Sequence, residues 1–176
     1  MIPSVDVARF PQIVIALLTL VSIVHGQAVC NSFQPVAERC DLNAPAAAQA
    51  NLVKVGNNFL LFAMIESLGE AVAFARKTGL SADEFVKIIT ETVFDSGACR
   101  VLGPMIAQEK YEPVGFPLSM VLKDVGLVLQ AAAHAAVPLP FADVIRDQLS
   151  TAMARGYQNL DETALARIAA ENAGLL

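Results

Sequence analysis

Two polar residues on one predicted helix are the best candidates for chemistry in this sequence. Lys54 and Asn58 are four residues apart, so on an α-helix they lie one turn apart on the same face. Apolar residues flank Lys54 on both sides, and we expect the resulting desolvation to disfavour its charged form, which suits a group that exchanges protons. The Asn58 amide can accept a hydrogen bond from the lysine and donate one to a substrate oxygen. The alternative is a surface lysine whose stem packs on apolar neighbours.

A second charged position interrupts another apolar helix, near the middle of the chain. Lys123 and Asp124 are adjacent within the segment Met120–Leu127. Adjacent residues on a helix do not face each other, so they are not a simple local ion pair. We expect Lys123 to point into a cleft or across an interface, and a lysine on the solvated stripe of the helix is the alternative.

Composition excludes several classes of function. The 176 residues are 55% hydrophobic and 16% charged, which suits one domain with a sizeable core. The net charge is -5 and the basic residues are scattered, so nucleic acid is not expected as a partner. No two glycines have the G-x-G spacing of a dinucleotide-binding turn, and no glycine precedes a lysine as in a P-loop, so the sequence contains neither motif. Cys30, Cys40 and Cys99 lack metal-ligand spacing, and we predict no metal site and idle or buried thiols.

The N-terminal segment, residues 1–31, differs from the rest of the chain. Its stretch Ile13–Val24 is almost wholly apolar, but a helix needs roughly 20 residues to cross a bilayer, so no stable membrane span is expected. Arg9 before the stretch and small residues near Gly26 are typical of a signal peptide, which would permit export and pairing of the first two cysteines. A buried β-branched strand or non-native sequence is the alternative.

From about residue 46 to the C-terminus, the sequence predicts an all-α domain. The first long helix runs to about Lys77 and ends at Gly79, a residue suited to the left-handed conformation. Ser81 and Glu84 form a capping box that opens a second helix, expected to reach Val93. Caps, glycines and prolines delimit the remaining predicted helices: Cys99–Glu109 with an interruption at Gly103-Pro104, Leu118–Ala136, Phe141–Arg155, and a last helix from the cap Asp161 to Asn172.

Two motifs, with a helix stop between them, form one longer pattern in the sequence. The motifs are Asn51-Leu-Val-Lys54-Val-Gly-Asn-Asn58-Phe59 with Glu66 and Gly69-Glu70-Ala71, then the stop Lys77-Thr-Gly79-Leu80, then Gly115-Phe116 with Leu122-Lys123-Asp124. Together they resemble the C-terminal domain of the 3-hydroxyisobutyrate dehydrogenase family, whose members are β-hydroxyacid dehydrogenases related to 6-phosphogluconate dehydrogenase. The resemblance covers about Ser32 to Leu176. It implies that residues 32–45 are the end of a Rossmann domain and residues 46–176 a helical substrate and dimerisation domain.

The resemblance implies an NAD(P)-dependent oxidoreductase that transfers hydride between nicotinamide and a small β-hydroxyacid. Lys54 matches the catalytic lysine of the family, and Asn58 matches its substrate-binding asparagine. Lys123 and Phe116 match positions near the cofactor, NAD or NADP. A homodimer in the cytoplasm is further implied, with export through residues 13–26 as the alternative location.

Family members also carry an N-terminal Rossmann domain with a G-x-G-x-x-G turn, and no such turn is present here. Without a phosphate site at a helix N-terminus, cofactor affinity should be very weak. We therefore expect an N-terminally truncated dehydrogenase that is inactive as this fragment. The alternatives are a non-catalytic helical dimerisation module and an exported helical protein.

Overall fold

A computed structural model describes residues 44–176, with side chains from Leu52 onward. The all-α prediction is confirmed for this range, which contains six α-helices, one short 3-10 helix and no β-strand. The α-helices are α1 (Ala44–Lys77), α2 (Ala82–Thr90), α3 (Gly97–Ala107), α4 (Leu118–His134), α5 (Pro140–Ala154) and α6 (Leu165–Asn172), and the 3-10 helix is Glu162–Ala164. The predictions for residues 1–31, and nearly all of 32–45, lie outside the described residues.

The chain divides into two units, Met1–Gly56 and Asn57–Leu176, and the helical core lies in the second. Apolar residues at spacings of three and four bury one face of α1, and α4 and α5 do the same. The largest fully buried apolar side chains of this core are Phe62, Ile65, Leu118, Val121, Val125, Ile145, Leu149, Leu165 and Ile168. Helix α5 packs between α4 and α6, and α2 packs on α3. Helix-on-helix packing therefore accounts for the high hydrophobic content.

Helix α1 ends as its sequence predicts. Gly79 has a φ of 90°, a left-handed conformation that glycine adopts without a Cβ penalty. The Leu80 N–H donates to the Ala75 carbonyl at 2.9 Å, and the Gly79 N–H donates to the Arg76 carbonyl at 3.2 Å. These two bonds form a Schellman motif, which satisfies the last carbonyls of the helix.

Helix α2 begins as predicted but ends earlier. The Ser81 hydroxyl accepts from the Glu84 N–H at 3.4 Å, which confirms the N-cap. The predicted end at Val93 is wrong, because the helix stops at Thr90 and residues 91–94 form turns. The Glu91 N–H bonds to the Ile88 carbonyl three residues back, which tightens the last turn into a 3-10 arrangement.

Helix α3 is continuous, so the predicted interruption at Gly103-Pro104 is wrong. The Ser96 hydroxyl caps it by accepting from the Cys99 N–H at 3.1 Å. A Cβ placed on Gly103 would lie 2.8 Å from a methyl carbon of Val86. Gly103 thus permits the close approach of α2, and without a Cβ it does not clash with the following proline ring.

The ends of α4 and α5 differ from the predictions by one or two residues. Helix α4 stops at His134, and Ala136 rather than a glycine takes the left-handed conformation, with a φ of 54°. The Val137 N–H donates to the Ala132 carbonyl at 2.9 Å, so the six-to-one bond of a Schellman motif forms without glycine. Helix α5 includes Pro140 at its first position, where its missing N–H has no cost.

One helical stretch in the described part, Leu52–Lys77, is long and apolar enough to cross a membrane. In its most apolar 18 residues, 44% are buried within the protein. Core helices of globular proteins meet the same criterion, so this stretch is weak evidence for a span.

Gly69 allows α1 and α6 to touch, which makes the position sensitive to substitution. A Cβ on Gly69 would lie 2.6 Å from both Cα and Cβ of Ala166. We predict that Gly69→Ala lowers the free energy of unfolding by about 1–3 kcal/mol, although alanine is the better helix former by about 1 kcal/mol. Urea denaturation followed by circular dichroism measures this change.

The matched control is Gly126→Ala on α4. A Cβ at Gly126 would meet nothing within 4 Å, so helix propensity alone should raise the stability by about 0.5–1 kcal/mol. Equal effects of the two substitutions would contradict the close contact at Gly69.

Candidate functional site

A hydrogen bond between two helices places Asn58 within the fold. Its side-chain amide on α1 donates to a carboxylate oxygen of Asp124 on α4 at 2.9 Å. Both residues are half-buried. The sequence-based expectation assigned this NH2 group to a substrate, whereas the structure directs one of its N–H bonds to Asp124. An amide has a second N–H and a carbonyl oxygen, so Asn58 has further hydrogen-bonding capacity.

Asp124 is the residue that sequence reasoning missed, because it was considered only as the neighbour of Lys123. Successive residues on a helix point about 100° apart, and this rotation separates the two side chains: Lys123 is exposed while Asp124 is half-buried. A signal was present, since an acidic residue on an apolar helix needs a partner. The exposure of Lys123 fits the solvated alternative, and its role near a cofactor stays a prediction.

Phe116 contacts α1 one helical turn beyond Asn58. Its ring stacks on that of Phe62, with centroids 6.5 Å apart and planes inclined by 8°. Phe62 follows Asn58 by one helical turn and is 1% exposed, while Phe116 is half-buried. We call Asn58, Phe62, Phe116 and Asp124 the Asn58 cluster.

Lys54 is half-buried on α1 and belongs to the first unit of the chain. Its partial burial fits both a desolvated lysine and a lysine whose stem packs on apolar neighbours. Its catalytic role therefore stays a prediction.

A buried acid continues the same face of α1 beyond the Asn58 cluster. Glu66 is four residues past Phe62 and only 2% exposed. Burial, with a smaller contribution from the charge of Glu70, raises the pKa of Glu66 to about 7. This side chain changes charge near neutral pH, where most carboxylates are ionised.

Only one of the three cysteines lies among the described residues. Cys99 is a buried thiol, 2% exposed on α3, as expected. Cys30, Cys40 and the signal-like segment lie outside the described residues. Within residues 44–176, no group of three or more His, Cys, Asp or Glu side chains could hold a metal ion.

The described residues form an all-α domain in which the long helix α1 and the helix α4 meet at a half-buried polar pair. Residues 48–169 match the family model described as NAD-binding of NADP-dependent 3-hydroxyisobutyrate dehydrogenase. This match spans more than half of the chain, so the chain belongs to that family. The family resemblance drawn from the two sequence motifs is thereby confirmed.

Relatives of known sequence and structure agree with this assignment. An uncharacterised oxidoreductase of Bacillus subtilis is 35% identical over 116 residues, which are 66% of this chain and 40% of that protein. The 2-hydroxy-3-oxopropionate reductase of Escherichia coli is 30% identical over 112 residues, 64% of this chain and 38% of that protein. A crystal structure of 3-hydroxyisobutyrate dehydrogenase from Salmonella typhimurium has the same fold, with a TM-score of 0.63 and 24% identity over 68% of this chain and 41% of that one. The chain thus spans about 40% of the length of the relatives it matches.

Proposed function

We propose that this chain is the substrate-binding part of an NAD(P)-dependent dehydrogenase that acts on a small hydroxyacid. The observation that carries the proposal is the 2.9 Å hydrogen bond between Asn58 and Asp124. It orients the Asn58 amide, which matches the substrate-binding asparagine of the family, on the helix that also carries Lys54. The names of the relatives support the substrate class, because 2-hydroxy-3-oxopropionate and 3-hydroxyisobutyrate are both small hydroxyacids.

In the proposed reaction, Lys54 moves the proton of the substrate hydroxyl. A bound nicotinamide would supply the hydride chemistry at the carbon that bears this hydroxyl. Lys54 takes the proton from the hydroxyl oxygen as the hydride leaves, and it stabilises negative charge that develops on that oxygen. Asn58 donates a hydrogen bond that orients the substrate.

The chemistry of Lys123 and Phe116 supports contact with a nicotinamide dinucleotide. The exposed ammonium of Lys123 suits an anionic cofactor, and the half-buried ring of Phe116 offers an apolar surface. The glycine spacing that would bind the phosphates does not occur among the 176 residues. We therefore propose that a separate dinucleotide-binding domain binds the phosphates.

The test is a titration of the isotope-labelled chain with 3-hydroxyisobutyrate, followed by NMR. We predict that the largest shifts occur at the side-chain amide of Asn58 and at the backbone amides of Phe116 and Lys123. Isobutyrate, which lacks the hydroxyl, should bind roughly tenfold more weakly, because a polar site loses a hydrogen bond with it.

An Asn58→Ala variant is the control, and it should reduce this preference for the hydroxyl. Shifts confined to other parts of the domain, or equal affinity for the two acids, would contradict the proposed site.

The partner and the location are further parts of the proposal. Large apolar side chains exposed on α1, Leu60 at 66% and Phe74 at 70%, support a homodimer formed through this domain. Light scattering of the purified chain measures its oligomeric state. The cytoplasm is the proposed location, and the mass of the mature N-terminus distinguishes it from export with cleavage after Gly26.

A further inference from the structure

Asp161 is a wholly buried carboxylate with four hydrogen-bond donors around it. It is 0% exposed. One oxygen accepts from the Thr163 N–H at 3.0 Å and from the Thr163 hydroxyl at 2.7 Å, which caps the 3-10 helix. The other oxygen accepts from the Gly115 N–H at 2.8 Å and the Phe116 N–H at 3.4 Å, in the loop before α4. Asp161 therefore connects two segments that are 46 residues apart.

The segment just before Asp161 also caps α4. This helix begins after Pro117, which forms no side-chain cap bond. The Leu118 N–H instead donates to the Leu160 carbonyl at 3.0 Å, and the Ser119 N–H donates to the Gln158 carbonyl at 3.1 Å. Because the first N–H groups of a helix lack partners within it, these carbonyls determine where α4 begins.

The position of α4 in turn sets the contacts of the Asn58 cluster. Phe116, which stacks on Phe62, immediately precedes the N-cap residue of the helix. Asp124, the partner of Asn58, lies within the first two turns. A shift of the loop or of the start of α4 would therefore move both groups relative to α1.

We propose that Asp161 is a positioning residue for the Asn58 cluster. Its carboxylate binds the Gly115-Phe116 backbone and so places Asp124 opposite Asn58. A carboxylate is required because it is an acceptor at both oxygens, whereas an asparagine amide offers one acceptor oxygen for two pairs of donors. The consequence for hydroxyacid binding rests on the proposed function, but the consequence for the Asn58–Asp124 hydrogen bond does not.

The test compares Asp161→Ala with Thr163→Val, a control that removes one donor from the other oxygen of the same carboxylate. The readout is the NMR resonance of the Asn58 side-chain amide, identified by its loss in Asn58→Ala. It should move in Asp161→Ala, together with the Gly115 and Phe116 amides, and stay in Thr163→Val. Should the alanine variant not fold, Asp161→Asn, which preserves the side-chain volume, takes its place. The proposal is overturned if the Asn58 resonance stays in the folded Asp161 variant, or if it moves equally in Thr163→Val.

Hydroxyacid binding provides a second measurement. The dissociation constant for 3-hydroxyisobutyrate should rise about tenfold in the Asp161 variant, as expected when a binding group is misplaced, and should change less than about twofold in Thr163→Val. If the unmodified chain does not bind the acid, the proposed function fails, whereas the Asn58 resonance still decides the role of Asp161.

Discussion

Replacement of Phe62 by alanine is expected to lower the free energy of unfolding by about 3–5 kcal/mol. Phe62 is 1% exposed within the core, so the substitution removes buried apolar area and leaves a cavity that the helices fill only in part. It also removes the stacking with Phe116, and aromatic pairs contribute about 0.5–1.5 kcal/mol beyond their buried area. Urea denaturation followed by far-UV circular dichroism measures the loss.

Phe94→Ala is the matched control, because it deletes the same atoms at a position outside the exposed face of α1 that we propose for dimerisation. Phe94 is 62% exposed, and exposed substitutions change stability by about 0.5 kcal/mol or less. A loss at Phe62 no larger than that at Phe94 would show that Phe62 is not part of the core.

The stability of the domain is expected to fall as the pH rises from about 5 to about 9. Burial, and to a smaller extent the charge of Asp161, raises the pKa of Glu162 to about 8. Glu66, with a pKa of about 7, shifts in the same direction. Between the ordinary glutamate pKa of 4.5 and these raised pKa values, the folded state retains protons that the unfolded state has released. The stability that each acid confers is therefore complete below about pH 4.5 and is lost as the pH rises through its folded pKa. Each acid contributes on the order of 3–5 kcal/mol.

Glu162→Gln tests the origin of this pH dependence. The amide has the shape of the protonated acid and does not ionise, so the variant should lose less stability than the unmodified chain between about pH 5 and about pH 9. Glu112→Gln, an exposed substitution in the loop before α4, should leave the slope unchanged. Parallel pH profiles for Glu162→Gln and the unmodified chain would exclude Glu162 as the source.

Acidic pH affects a different group. Burial by itself would raise the pKa of Glu171. Hydrogen bonds from Tyr157, Arg167 and Arg155 outweigh this effect, so the pKa of Glu171 is lowered. A depressed pKa confers stability above the unfolded value that is lost as the pH falls through the folded one. The alkaline loss assigned to Glu162 and Glu66 is therefore separable from the acidic loss at Glu171.

Most of the helix limits were predictable because the responsible interactions are local. Gly79, Ser81 and Ser96 act on backbone groups within a few residues of themselves, and each does so in the structure. The continuity of α3 was not predictable, because Gly103 packs against Val86 of another helix. The early end of α2 was not predictable either, because the capping residues of the sequence do not specify it.

The candidate site likewise has features that the sequence determines and features that only the packing of the helices determines. The sequence by itself determined that Lys54 and Asn58 occupy one helix a turn apart, because residues four apart on an α-helix always lie on the same face. It also identified Asp161 as a cap. Only the tertiary structure decided that Asp124 is the partner of Asn58, 66 residues away, and that the second oxygen of Asp161 binds the loop at Gly115. Helical periodicity and caps act over one turn of the chain, whereas these hydrogen bonds depend on how α1, α4 and the segment before α6 pack in space.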